Sequence, residues 1–263
     1  TGSTQPARRI NHTLAARNGP ILPLIAETGG MNAMIVDSTA LSEQVVQDVL
    51  VSAFQSAGQR CSALRVLYIQ EEIADDVVEM LKGAMALRRV HHPSRYDTDI
   101  GPIIDAISLE KLKQHQAYLE KKGTHLATMN MSTELNGHFF APCAYEIPDI
   151  GILSTEVFGP ILHVVRYSLA ELDQVLEDIR NCGYGLTMGI HSRMSEKMVD
   201  ILKKSRIGNT YVNRDTIGAM VGVQPFGGEG LSGTGPKAGG PNYLKRLCVE
   251  RTLTINTSAV GGN

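Results

Sequence analysis

Apolar residues along this chain change their spacing repeatedly, and the changes mark out its elements. Leu41, Val45, Val46, Val49, Leu50, Ala53, Phe54 and Ala57 recur at three- and four-residue steps, which predicts a helix with one face toward a core, ended by Gly58. Leu64 to Ile69 is instead a continuous β-rich run suited to a buried strand, so Cys61 falls in a helix-to-strand loop. Pro20 to Ala26 reads as another short strand, which would deliver Glu27 to its carboxyl end, and Asn32 to Val36 as a further one. Helical spacing returns over 71–87, with Ile73, Val77, Val78, Leu81 and Ala84 on one face, and again over 108–121, 169–180 and 195–204. Strand-like runs occupy 138–145, as two pieces around Pro142, then 162–167, 186–190 and 209–212. Strand and helix thus alternate, which predicts an α/β fold with a largely parallel sheet flanked by helices. At the ends, Thr1 to Thr4 has the makeup of a helix entry before Ile10, Leu14 and Ala15. Residues 249–257 alternate like an edge strand.

Composition removes several functional classes. The 263 residues are 43% hydrophobic and 20% charged, as in a globular protein, and the formal net charge of −2 offers nothing to nucleic acid or an anionic membrane. No apolar run approaches the roughly 20 residues that span a bilayer, so a soluble, cytoplasmic protein is expected. Cys61, Cys143, Cys182 and Cys248 are scattered without C-x-x-C spacing, which predicts reduced thiols and no zinc site. His91-His92 before Pro93 reads as a surface turn, so no metal is assigned. The opening Thr1-Gly2-Ser3-Thr4, without an initiator methionine, reads as the interior of a longer polypeptide.

The candidate chemistry centres on Cys61. A thiolate in a loop held by a scaffold is a good nucleophile, although a lone cysteine is also a common small core residue. No histidine lies in a motif that would pair with it as base. The glycine-rich run 227–240 lacks the G-K-[ST] of a phosphate loop, and no G-x-G-x-x-G accompanies Gly2-Ser3. Residues alone leave open a dehydrogenase, a cysteine acyl transferase or hydrolase that needs no nucleotide, and a non-catalytic interaction module.

Ala26-Glu27-Thr28-Gly29-Gly30, Gly58-Gln59-Arg60-Cys61, Thr155-Glu156-Val157-Phe158-Gly159-Pro160, Asn213 and Gln224-Pro225-Phe226-Gly227-Gly228, in that order, resemble the aldehyde dehydrogenase superfamily from Thr1 to about Thr254. The resemblance implies a remnant of a Rossmann-like NAD domain at 1–33, a catalytic domain at 34–248, and an edge strand or oligomerisation arm with a tail at 249–263. It implies Cys61 as nucleophile, Glu27 as general base, Glu156 on the nicotinamide ribose, Phe158 beside the nicotinamide, and Gly2 and Ser3 near the pyrophosphate of NAD. Cys61-Ser62 and the run from Asn213 to Pro241 are most similar to the L-glutamate γ-semialdehyde (1-pyrroline-5-carboxylate) dehydrogenase modules of bacterial proline utilization A. That branch implies oxidation of the semialdehyde to glutamate, with the substrate carboxylate on Ser62 and the amides of Gly218 and Ala219. FAD is expected only in an upstream domain, and a homo-oligomer through the C-terminal arm. Because the family's cofactor site also draws on strands before Thr1, the isolated chain is expected to be inactive, with a sheet edge bared near residues 20–36. Activity on another aldehyde, or a scaffold role, are the alternatives.

Overall fold

A computed structural model describes residues 1–132 and 134–259. In chain order its elements are α1 (Thr4–Ala16), β1 (Ala33–Val36), α2 (Ser42–Phe54), β2 (Val66–Gln70), α3 (Glu71–Ala86), α4 (Ala106–Lys122), β3 (Thr124–Thr128), β4 (Cys143–Glu146), β5 (Ile161–Tyr167), α5 (Leu172–Asn181), β6 (Tyr184–Gly185), β7 (Thr187–His191), α6 (Ser195–Lys204), β8 (Asn209–Val212) and β9 (Glu229–Gly230). Seven strands form one sheet in the order β3-β4-β5-β2-β1-β7-β8, and β6 pairs with β9 separately. Every pairing in the large sheet is parallel except β3 with β4.

The centre of this sheet is apolar on both faces. β1 and β2 are buried at every position, as expected for parallel strands covered by helices. Val45, Val49, Ala53 and Phe54 of α2 and Ala74, Val77, Leu81 and Met85 of α3 pack into the same core. Fully burying one such Leu, Ile or Phe contributes roughly 1.5–3 kcal/mol, so this layer supplies much of the folding free energy. α4 starts where the Asp105 carboxylate accepts from the Ser108 amide at 2.7 Å, an N-cap bond.

Several expectations need correction. Residues 20–26 form no strand: Ile21 is fully exposed, and the segment's first ordered pairing is a single bridge between Glu27 and Gly233. Pro20 and Pro23 lack amide donors for a ladder, and Ala26 bonds to Thr234 instead. Glu27 therefore does not end a strand but precedes β1. No sheet edge is bared near 20–36 either, because β1 lies inside the sheet and residues 29–36 are buried. The exposed surface at this end comes from Ile21 and Leu22 and from α1, which buries no residue. Of the two pieces expected around Pro142, only β4 exists, and β3 is mostly exposed, with Leu126 and Ala127 its only apolar residues. Residues 249–256 make no ladder, and Val249, Leu253 and Ile255 are exposed. Residues 260–263 of the expected tail lie outside the described residues.

Candidate active site

The cysteine loop begins with a left-handed turn. α2 stops at Phe54, and Ser56, Ala57 and Gly58 then take φ of 56°, 54° and 63°. Gly58 also sits where a Cβ would come within 2.4 Å of the Gly159 carbonyl oxygen, so only glycine fits its close packing and its backbone angle. The chain returns through Cys61 to β2, with the Leu64 amide bonded to the Ser52 carbonyl at 2.9 Å.

Side chains from distant segments pin the loop's carbonyls. The Asn32 amide group donates to the carbonyls of Cys61 (2.7 Å) and Ala63 (2.8 Å), while its own oxygen accepts from the Thr187 amide (3.1 Å). The hydroxyls of Thr216 and Thr187 donate to the Ser62 carbonyl at 3.0 and 3.4 Å. Arg65, 1% exposed, donates to the Gly58 and Arg60 carbonyls at 2.7 and 3.0 Å and pairs with the Glu156 carboxylate at 2.9 Å. Its guanidinium carbon also lies 5.2 Å from the Phe158 ring centroid, in reach of a cation–π interaction.

These elements frame a cleft of about 990 Å³, and eight of the nine sequence-predicted residues line it: Gly2, Ser3, Cys61, Ser62, Glu156, Phe158, Gly218 and Ala219. Cys61, Asn32 and Glu156 all lie just ahead of β2, β1 and β5 respectively, so the cleft opens at the amino ends of these parallel strands, not at the carboxyl ends. Ser3 is the N-cap of α1 and its hydroxyl makes no capping bond. Phe158 is 44% exposed and presents its ring to the cleft. Thr216, whose amide bonds to the Ser52 hydroxyl at 3.1 Å, anchors the turn that carries Gly218 and Ala219. Lys111 of α4 and Arg60 bring positive charge to the same wall, and no histidine lines it.

Glu27 is the exception. Its neighbours Thr28 and Gly29 line the cleft, but its own carboxylate is sunk behind them, and neither oxygen meets a hydrogen-bond donor among the described residues. Gly227 packs against it, and a Cβ there would stand 2.5 Å from Glu27 Oε1. Burial pushes this carboxyl up to about 7, with the Lys237 charge partly opposing the shift. The Lys237 Nζ itself donates to the Gly208 carbonyl and, at 3.3 Å, to Asn209 Oδ1.

Burial likewise raises the Cys61 thiol; the Ser62 amide works against this, and the nearby Glu156 and Glu27 carboxylates add to it. Glu156 is raised too, because burial outweighs Arg65. The four cysteines are free thiols. Among the described residues no three His, Cys, Asp or Glu side chains gather as metal ligands, and no helix is long and apolar enough to cross a membrane.

Sequence reasoning missed Asn32 and Arg65. Arg65 carried a readable signal, a single charge in an otherwise apolar strand, since a fully buried arginine requires partners. Asn213, part of the family pattern, turns out to shape a turn: at φ 51° its side chain brackets the Ser192 amide and carbonyl at 3.0 and 2.9 Å.

Residues 1–253 match the sequence profile described as "Aldehyde dehydrogenase family". The chain is 53% identical over 260 residues to the bifunctional protein PutA of Escherichia coli (strain K12), covering 95% of this chain and 20% of that protein. It is 33% identical over 260 residues to a 1-pyrroline-5-carboxylate dehydrogenase of Bacillus pumilus (strain SAFR-032), covering 97% of this chain and 50% of that protein. The crystal structure of a Bradyrhizobium japonicum proline utilization A (PutA) mutant superposes with a TM-score of 0.94 at 53% identity, over 99% of this chain and 26% of that one. The chain thus spans 20% of the length of the E. coli PutA it resembles.

Proposed function

The chain belongs to the aldehyde dehydrogenase family, and from that premise we propose that it carries the cysteine site of an NAD-dependent oxidation of L-glutamate γ-semialdehyde to L-glutamate, the second step of proline catabolism. One observation supports the reading above all: a thiol on a loop whose carbonyls are fixed from three sides shares its cleft with a carboxylate, an aromatic ring and a helix N-terminus. The similarity to a 1-pyrroline-5-carboxylate dehydrogenase and to PutA supports the choice of substrate.

The residues present fit a dinucleotide. Glu156 offers a carboxylate to ribose hydroxyls, Phe158 an exposed ring to a nicotinamide, and Gly2 and Ser3 a helix start with an uncommitted Ser3 hydroxyl to a pyrophosphate, the Gly2 amide itself being bonded to the Glu27 carbonyl at 3.0 Å. NAD, when bound, supplies the hydride acceptor. The chain's part is to give up the Cys61 proton to water, add the thiolate to the aldehyde carbon as a thiohemiacetal, hold its oxyanion near the loop amides while hydride leaves that carbon for the acceptor, and let water release the acid from the thioester that remains. Glu27, whose carboxyl sits near neutrality, takes the water's proton after its side chain swings from behind Thr28 and Gly29 toward Cys61. Ser62 with the amides of Gly218 and Ala219 receives the substrate's carboxylate. A cysteine hydrolase without nucleotide is less favoured because no histidine reaches the cleft.

The exposed segment 249–256 supports pairing with a second copy of the protein. In the complete protein, Cys61→Ala is expected to abolish semialdehyde oxidation while leaving NAD affinity within a fewfold of wild type. Near-normal turnover by that variant would end the assignment.

A further inference from the structure

The guanidinium of Arg65 is saturated. Its five N–H groups meet five acceptor contacts: Nη1 donates to the carbonyls of Gly58 (2.7 Å) and Gly159 (3.2 Å), Nη2 to the Arg60 carbonyl (3.0 Å) and Glu156 Oε1 (2.9 Å), and Nε to the same Oε1 (3.3 Å). Two of these acceptors belong to the cysteine loop and two residues, Glu156 and Gly159, to the loop before β5. One planar, buried group therefore holds both loops at once.

The carboxylate end of this arrangement is already half spent. Each oxygen of an ionised carboxylate accepts about two hydrogen bonds, and Arg65 takes both places on Glu156 Oε1. The other oxygen, Oε2, lies against Gly29, where a Cβ would come within 1.6 Å of it. A vicinal diol that engages both oxygens must therefore displace at least one Arg65 bond from Oε1. Displaced, the fork redistributes over the remaining carbonyls, among them those of Gly58 and Arg60 on either side of the turn into Cys61.

We propose that Arg65 is a positioning residue that couples the hydrogen bonding of Glu156 to the geometry of the Cys61 loop, so that a diol ligand on Glu156 is felt at the thiol. The diol class is what the ribose of the nucleotide proposed above would present, and in that respect the inference rests on that reading. The coupling itself is a property of the protein without ligand. A guanidinium that only stabilised the sheet would be indifferent to the state of Glu156.

A double-mutant cycle on the complete protein tests this with thiol reactivity as the readout. The rate and pH midpoint of Cys61 alkylation by iodoacetamide are measured for wild type, Glu156→Gln, Arg65→Lys and the double variant, with Cys61→Ala as the blank and circular dichroism as a check of folding. Glu156 also acts on the thiol directly through its charge, and that part persists when Arg65 is replaced; only the departure from additivity reports Arg65. The expected departure is at least about threefold in rate, within the range for residues in direct contact. Additive effects would overturn the proposal. Should Arg65→Lys fail to fold, Glu156→Gln and Glu156→Asp alone decide. Asp keeps the charge but shortens the reach to Arg65, so a shifted alkylation rate in Asp as well as Gln supports the coupling, and wild-type behaviour in Asp refutes it.

A second arm uses ADP-ribose, which carries a free terminal ribose and no hydride acceptor. At saturation it should change the wild-type alkylation rate severalfold and the Arg65→Lys rate by less than twofold. Binding without any change in the wild-type rate would count against Arg65. Absence of ADP-ribose binding, by calorimetry, would instead sink the nucleotide reading, and the cycle would still decide the coupling.

Discussion

Replacing Glu27 by glutamine should make the folded protein more stable at pH 8 than the wild type, while slowing release of the acid. The carboxylate is shielded and meets no donor, so its charged form is disfavoured in the fold and its proton is held up to about 7, against an ordinary value of 4.5. At about 1.4 kcal/mol per pH unit, that difference corresponds to a ceiling of about 3 kcal/mol. The residue is only partly buried, and solvent relaxation reduces the effect to about 1–2 kcal/mol. The sign follows from proton counting. Between pH 4.5 and 7 the folded chain keeps a proton that the unfolded chain has released, so wild-type stability falls as pH rises through this window and is level above it. Glutamine carries no such proton, and the variant lacks that slope. The measurement is the difference in denaturant unfolding free energy between variant and wild type at pH 5 and pH 8, in which other titrating groups cancel. The gain should be markedly smaller at pH 5, half a unit above the ordinary value of 4.5, than its about 1–2 kcal/mol at pH 8. Pre-steady-state kinetics should then show a burst of NADH followed by slow turnover. A variant that is no more stable at pH 8, or whose gain does not vary with pH, would refute the picture of an unpartnered charge.

Three further outcomes follow from named contacts. Asn32→Ala strips partners from the Cys61 and Ala63 carbonyls and the Thr187 amide, and should cost about 2–4 kcal/mol at about 1–3 kcal/mol per buried group left unpaired; a loss under 1 kcal/mol in denaturant unfolding would mean that water substitutes for the side chain. Ser62→Ala should raise KM for glutamate semialdehyde and leave KM for propanal unchanged, whereas equal effects on both would make Ser62 a support of the loop and not a reader of the carboxylate. Buried His163, whose ring bonds the Arg65 carbonyl at 2.8 Å and faces His115 at 2.8 Å, is pushed down to about 3, and His115 to about 4, both by burial. Stability from the neutral pair is whole above pH 6.5 and lost as pH falls through the window below it, so His163→Gln should flatten the decline in unfolding midpoint between pH 6.5 and 4, and an unchanged decline would exclude the pair as its source.

What the sequence made legible depended on whether the signal was local. α6 and β8 fall at their expected limits, and α3 and α4 within two residues, because amphipathic spacing or a continuous apolar run is repeated within one element. Residues 20–26 have the composition of a buried strand but nothing to pair with, and composition cannot report the absence of a neighbour. β3 pairs with the edge that β4 offers, and its own two apolar residues, Leu126 and Ala127, are too few to mark a strand by pattern. At the site, the lining residues came from motifs, whereas the residues that fix them did not. Asn32 meets Thr187 across 155 positions and Arg65 meets Glu156 across 91, separations over which no periodicity speaks. Glu27 stands in one of the motifs, but its place behind Thr28 and Gly29, packed against Gly227 from far along the chain, is not legible there.

The three left-handed residues ahead of Cys61 also bear on how the loop would tolerate change over evolutionary or engineering time. Ser56 and Ala57 hold φ of 56° and 54° although each carries a Cβ, a conformation that costs an ordinary residue about 1 kcal/mol or more. Glycine at either position would relieve that cost, yet it would also widen the unfolded chain's choices by about 0.4–1 kcal/mol, leaving net stability nearly where it was. What would change is the number of shapes open to the folded loop. A side chain at these positions forbids most of the alternatives that glycine would permit, so the turn is less a weak point in the fold than a filter on it. Substitutions to glycine there should be nearly silent in a melting curve and visible in the heterogeneity of the thiol's environment.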